Sequence, residues 1–210
     1  MNTMLQNRLL LFFMLSGTLA LAQKETSQTL GAENIDAIVL SADEIYRISI
    51  STAAVDEIRI TTRSDGEYYN RISLDSEIKG ETLYLTSRFR EILQSGYDKL
   101  SAHKVFAMEV FLEIPEGLSV DISSNLASVH ASGEYNKLLI QLRSGSCYLT
   151  GISADGIVNT FNGNIELEAK DAQVTANSRH GELKFSGKNS GAHKIALSSI
   201  NGDIRVVHTK

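Results

Sequence analysis

Glu166 and Glu168, one residue apart, come nearest to a paired-carboxylate site. Glycoside cleavage needs two carboxyl groups on one bond, one to protonate the leaving oxygen and one to attack or to activate water. On a strand the two would share a face, because alternate residues point the same way. The repeat described below sets Lys184 and Ser186, then Arg205 and Val207, over that face, so Glu166 reads more simply as half of a Glu166–Lys184 charge pair between neighbouring coils. Oxygens that calcium accepts recur at Ser128, Ser146, Asn164, Glu182 and Asp203. The Gly-Asp nonapeptide of calcium-binding β-rolls is missing, however. His103, His130, His180, His193 and His208 occupy unlike positions and build no ligand set. Cys147 is the single cysteine, so no disulfide can form within the chain, and with no base beside it the thiol reads as a small core residue. Glycine-rich phosphate loops, Ser-His-Asp order and nucleophile elbows do not occur. These residues predict no catalytic group, no metal and no cofactor.

What must position them is a repeat. Gly145, Gly163 and Gly181 stand 18 residues apart, and Gly202 follows after 21. Around them run Arg143–Leu149, Phe161–Leu167, Arg179–Phe185 and Ile200–Val206, with a glycine-free copy at Asn125–Ala131. Aligned on the glycine, Val129, Cys147, Ile165, Leu183 and Ile204 form one apolar column and Ala131, Leu149, Leu167, Phe185 and Val206 another. Between them lie His130, Tyr148, Glu166, Lys184 and Arg205. This is period-2 alternation with a fixed inside and outside. Upstream, Ile122, Ile140, Val158, Ala176 and Leu197 are apolar, while Ser123, Gln141, Asn159, Asn177 and Ser198 beside them are polar throughout. A second corner is expected at Gly133, Gly151, Ala169 and Gly187. The three-residue insertion of the last copy falls around Asn189–His193.

Like residues recurring at two separate corners favour circuits stacked directly on one another, about 4.8 Å apart. The expected fold class is therefore all-β, with a C-terminal β-solenoid of about 18 residues per coil over residues 118–210. An antiparallel meander turned by the Asn-Gly pairs is the alternative. Residues 23–117 read as an N-terminal β region that caps the stack and merges into it. Its strands are expected at 35–40, 46–52, 57–62, 69–74, 82–86 and 105–114, and turns at Asp65-Gly66 and Lys79-Gly80. Residues 88–104 form a long patternless loop, a place where binding functions gather.

The opening residues predict an address. Arg8, an apolar run from Leu9 to Ala22 and the Ala20-Leu21-Ala22 ending make residues 1–22 a secretory signal peptide. The run is short for a bilayer span, and no later segment is long and apolar enough to be one. Loss of Arg8 takes the formal charge from −5 to about −6; such a surface argues against nucleic acid, which calls for a basic patch.

Glu67-Tyr-Tyr-Asn70, Lys99-Leu-Ser-Ala-His-Lys104 and Glu113-Ile-Pro-Glu-Gly-Leu-Ser119 resemble the putative-adhesin family of unknown function, the DUF4097 group of exported bacterial proteins with a β-helix-like C-terminal domain. The resemblance covers most of the chain after the leader. It implies the fold and brings no catalytic residues. The expected function is thus non-enzymatic: an exported binding or scaffold module of the cell envelope, in the periplasm or at the cell surface. Gln141, Asn159, Asn177 and Ser198 are the candidate ligand-binding residues, facing a glycan or an envelope protein. A side-chain ladder that merely solvates the face is the plainer reading of the same residues. The alternatives are a carbohydrate-active β-helix enzyme and a periplasmic partner in envelope-stress signalling.

Overall fold

The computed structural model describes residues 24–64, 72–89 and 108–209. The expected leader lies outside them, as do Asp65-Gly66 and residues 90–104 of the expected loop; Arg88 and Phe89 close a strand. Fifteen strands form: β1 Lys24–Gly31, β2 Ala37–Ser41, β3 Arg47–Ala53, β4 Glu57–Ser64, β5 Ile72–Lys79, β6 Thr82–Phe89, β7 Met108–Pro115, β8 Ser119–Ser124, β9 Ser128–Ser144, β10 Cys147–Asn162, β11 Ile165–Lys170, β12 Ala172–Ser178, β13 Leu183–Ser186, β14 His193–Asn201 and β15 Ile204–Thr209. The described residues contain no helix.

All fifteen strands belong to one sheet that does not close on itself. Two strands, β9 and β10, are long enough to run through both of its wings. Each bends at a glycine with positive φ, Gly133 at 106° and Gly151 at 61°. The first wing runs β1-β4-β7-β3-β9-β10-β11-β15-β13. The second runs β5-β6-β2-β8-β9-β10-β14-β12. From β3 and β2 onward every pairing is parallel. Antiparallel pairs occur only at the N-terminal end, between β1 and β4, β4 and β7, and β5 and β6. Inward residues of both wings meet in one hydrophobic cluster, from Ile38 and Leu40 through Ile140 and Cys147 to Ile204 and Val206. The strands flanking Gly163, and those flanking Gly202, lie in different wings, so the Asn-Gly pairs turn corners and make no hairpins.

The expected columns are present, but their order is not that of the chain. Cys147 registers with Val129 on one side and Ile165 on the other. Ile165, however, pairs next with Ile204, and Leu183 lies beyond Ile204. On the second wing, β14 likewise sits between β10 and β12. The last circuit of the chain, β14–β15, is thus inserted beneath the circuit that precedes it, β12–β13. Past Lys170 the chain turns through Asp171, whose φ of 48° is the one positive value on a non-glycine residue among those described. It then climbs two layers and later returns to fill the slot. The insertion at Asn189–His193 supplies the length for that return. Gly191 on it lies so close that a Cβ would come within 2.0 Å of the Asp171 carbonyl carbon.

Two local expectations change with the order. Ala169 is no corner; it is fully buried within β11, and the bend falls on Asp171. The Glu166–Lys184 charge pair does not exist. Glu166 registers with Arg205, and the Lys184 ammonium pairs with Glu182, just before its own strand, at 2.9 Å.

The turn glycines are explained mainly by close approach. A Cβ on Gly145 would sit 2.1 Å from the Ala127 oxygen, and one on Gly163 would sit 1.9 Å from that of Gly145. On Gly202 it would be 2.0 Å from the Gly163 oxygen, and on Gly181 2.1 Å from that of Gly202. Backbone stacks on backbone with no room for a side chain. Hydroxyls inside this corner satisfy the buried carbonyls: Thr160 and Ser199 donate to the Gly163 oxygen at 2.9 and 3.0 Å, and Ser178 donates to that of Gly202 at 2.7 Å. Buried carbonyls need such partners.

Candidate functional site

The columns that could carry chemistry divide into those locked inside the stack and those left facing water. The oxygen column is locked. The Ser128 hydroxyl accepts from the Ser146 amide at 3.2 Å, and the Ser146 hydroxyl from that of Asn164 at 3.1 Å. The Asn164 side-chain oxygen accepts from the Asp203 amide at 2.9 Å, and the Asp203 carboxylate from that of Glu182 at 2.8 Å. Each side chain ties its coil to the next, and the sequence separations of 18, 18, 39 and 21 trace the inserted circuit a second time. Among the described residues no three His, Cys, Asp or Glu side chains are placed to hold a metal. Asn162, Asn201 and His180 form a second locked column, joined at 2.8 and 2.7 Å.

Cys147 is fully buried, and loss of hydration pushes its thiol up to about 12. It is packing material, as its column indicates.

Gln141, Asn159, Ser198 and Asn177 are brought together on the outward side of the second wing. They register in that order on adjacent strands, with Ser123 before Gln141. The three amides are exposed, and among the described residues none of the four side chains makes a hydrogen bond. They are therefore not zipped into the self-satisfied ladder that stacked amides can form. Exposed Ile157 and Phe161 flank them, each about half accessible, and Arg143 stands beside Phe161. Gln141, Asn159 and Ser198, with Arg143, Phe161 and Asp43, line an open shelf of about 600 Å³, and Asn177 lies beyond it.

The first wing carries a groove that the repeat does not reveal. Small side chains on β3, Ser49 and Ser51, form its floor, with Ser132 and Thr150 beside them. Phe111 on β7 forms one wall and His130 with Tyr148 the other, enclosing about 510 Å³. Phe111 and His130 flank Ser49 in the register, so the walls stand two strand spacings apart, roughly 10 Å. The His130 and Tyr148 rings stack at 4.7 Å with 18° between their planes. The Arg63 guanidinium lies 4.9 Å from the centre of the Phe111 ring. At the rim, Arg59 and Glu113 pair at 3.4 Å. His130 titrates below the usual histidine value, first because burial disfavours its cation and then because Arg47 repels it. His130 and Tyr148 share a sequence column, but Phe111 and Ser49 lie in the aperiodic half and align with nothing.

Glu166 and Glu168 sit on this same wing, bordering a shallower depression with Tyr148, Thr150, Arg205 and Val207. Glu166 is exposed there and Glu168 half-buried.

Among the described residues no helix is long and apolar enough to cross a membrane. No protein-family model matches the chain, and no curated protein does. Solved structures do. A putative cell adhesion protein from Clostridium sporogenes superimposes with a TM-score of 0.59 at 12% identity, over 89% of this chain and all of that one. Putative adhesins from Bacteroides fragilis and Parabacteroides distasonis, also 12% identical, cover 89% of this chain and 97% of theirs with TM-scores of 0.39 and 0.31. The chain shares the all-β fold of the Clostridium sporogenes protein.

Proposed function

We propose that the chain is a non-enzymatic, adhesin-like binding module of the cell envelope. In this reading it is exported by its N-terminal leader, built as a β-solenoid of about 18 residues per coil under an N-terminal β region, and binds glycan through the second wing. The observation that carries it is the outward column Gln141–Asn159–Ser198–Asn177, whose amides have no hydrogen-bond partner among the described residues, although two other polar columns are tied into the stack. Donors and acceptors repeated at the strand spacing of about 4.8 Å, beside an exposed aromatic ring, suit a polymer laid across the strands. The likeness to a putative cell adhesion protein points the same way without specifying a ligand. A rigid parallel ladder holds these groups in place, so little ordering cost opposes binding.

The test is a glycan array probed with the chain lacking residues 1–22, followed by titration of Asn159→Ala and Phe161→Ala on whatever binds. Each change is expected to weaken binding about tenfold, the scale of one lost hydrogen bond plus stacking area. Binding that is indifferent to both changes would remove this site. The aromatic groove supports a second reading, because a sugar ring fits between Phe111 and Tyr148 over a hydroxyl floor. Loss of binding in Phe111→Ala with retention in Asn159→Ala would select it. Turnover of a bound glycan would instead establish the enzyme alternative.

A further inference from the structure

Insertion of the last circuit changes which coil ends the stack. In the column Val129, Cys147, Ile165, Ile204, Leu183, the first four side chains have no accessible surface, and Leu183 is 45% exposed. In the parallel column Ala131, Leu149, Leu167, Val206, Phe185, exposure is at most 3% until Phe185, at 46%. Both end residues occupy core positions with no coil above them. On the second wing the corresponding edge is closed from within: the Asn189 side chain accepts from the Val174 amide at 2.7 Å and donates to the Val174 oxygen at 2.9 Å, copying a neighbouring strand. Among the described residues the loop that follows β13 places no such plug on it, and its four residues are all exposed. An open edge strand that carries apolar side chains is a template for another strand.

We propose that β13 is the dimer interface of this protein, pairing antiparallel with β13 of a second copy about a two-fold axis at Leu183. Charge selects both the partner and the register. Within the molecule Lys184 lies over Arg205 and Glu182 over Asp203, like upon like. An antiparallel copy centred on Leu183 sets each Glu182 opposite the other copy's Lys184, giving two opposite-charge pairs. Moving the axis one residue along the strand, to Lys184 or to Glu182, would set Lys184 against Lys184 or Glu182 against Glu182. In the favoured register the two Leu183 side chains meet, and Phe185 covers Gly181 of the other copy, where no side chain competes. Asn189 and its loop keep the second wing out of the contact, so association closes at two copies.

The test begins with sedimentation of the purified chain from about 5 to about 500 µM, a range that brackets a small interface. The chain is expected to pass from monomer to dimer, and Leu183→Asp is expected to weaken the dimer about 100-fold or more. Leu183→Cys gives a second readout that does not depend on that variant folding. Opposed Cα atoms in an antiparallel pair are about 4.5–5.5 Å apart, within disulfide reach. Mild oxidation should therefore link Leu183→Cys into a dimer, while Phe185→Cys, facing Gly181, links far more slowly; Cys147 is buried and does not compete. A wild-type chain that stays monomeric throughout, growth past dimer into head-to-tail chains, or equal cross-linking at positions 183 and 185 would each overturn the proposal.

Discussion

The two ends of the stack are finished in opposite ways. At the N-terminal end the outermost strands turn antiparallel, β1 on β4 and β5 on β6, and they carry mixed polar pairs such as Thr26–Thr62 at 2.6 Å and Arg63–Glu25 at 2.8 Å. Ser76 on β5 also reaches Gln28 on β1 at 3.2 Å, bridging the two wings across the end. At the other end the strands remain parallel, and the finishing coil is the second-to-last in sequence. There the core columns reach the surface at Leu183 and Phe185. A stack can be terminated by changing strand direction and residue type together, or by a plug on one wing alone. The first solution needs a sequence that departs from the repeat, as residues 24–89 do. The second retains repeat-like residues at the end and leaves one edge open.

The sharpest way to break this comparison is to truncate one column at its middle and at its end. Ile204→Ala should cost about 2–5 kcal/mol in denaturant unfolding, the range for a fully buried large-to-small change. Leu183→Ala should cost less than about 1 kcal/mol, as partly exposed positions do. If the circuits followed chain order, the two values would be reversed, since Ile204 would then end the column.

The corner glycines give a smaller contrast of the same kind. Gly163 lies inside the stack, packed under Gly202 and over Gly145, whereas Gly181 is covered on one side only. Gly163→Ala should destabilise by about 3 kcal/mol, because the clash is with backbone and both neighbouring circuits must move. Gly181→Ala should cost roughly half as much, as the outermost coil can lift away. Equal thermal shifts for the two variants would show that the last coil is held as firmly as the inner ones.

The columns were legible in the sequence because burial repeats wherever the backbone repeats. Cys147, Ile165 and their partners could be assigned inward from alternation alone, and the turn glycines from their spacing. The order of the circuits was not legible. Leu183 and Ile204, or Phe185 and Val206, are equally apolar, and alternation carries no information about which coil lies above which. The one trace was the three-residue insertion at Asn189–His193, which is the return path of the chain. For the sites, the column Gln141–Asn159–Ser198–Asn177 could be drawn from the repeat, including Ser198 from the displaced circuit, because all its members share one register. The groove could not be drawn. Its floor and one wall come from Ser49 and Phe111, brought beside His130 by pairings that span about 80 residues (Ser49 with His130) and about 60 (Ser49 with Phe111) and follow no period.

His130 provides the finest test of how the two halves meet, because its surroundings come from both. Burial lowers its titration midpoint, and Arg47, on the neighbouring strand of the aperiodic half, lowers it further. A base whose folded-state value lies below its unfolded value resists protonation in the fold. It adds stability that is complete above about 6.5, the ordinary histidine value, and is lost as pH falls through the depressed one. Histidine Cε1–H shifts followed by NMR should therefore place the His130 midpoint below about 6.5, the ordinary histidine value. Arg47→Ala should raise it part of the way, since burial, the larger cause, remains. A midpoint that does not move in Arg47→Ala would mean that β3 does not hold its guanidinium near the imidazole, and that the junction between the aperiodic and repetitive halves is looser than the register of Ser49 with His130 requires.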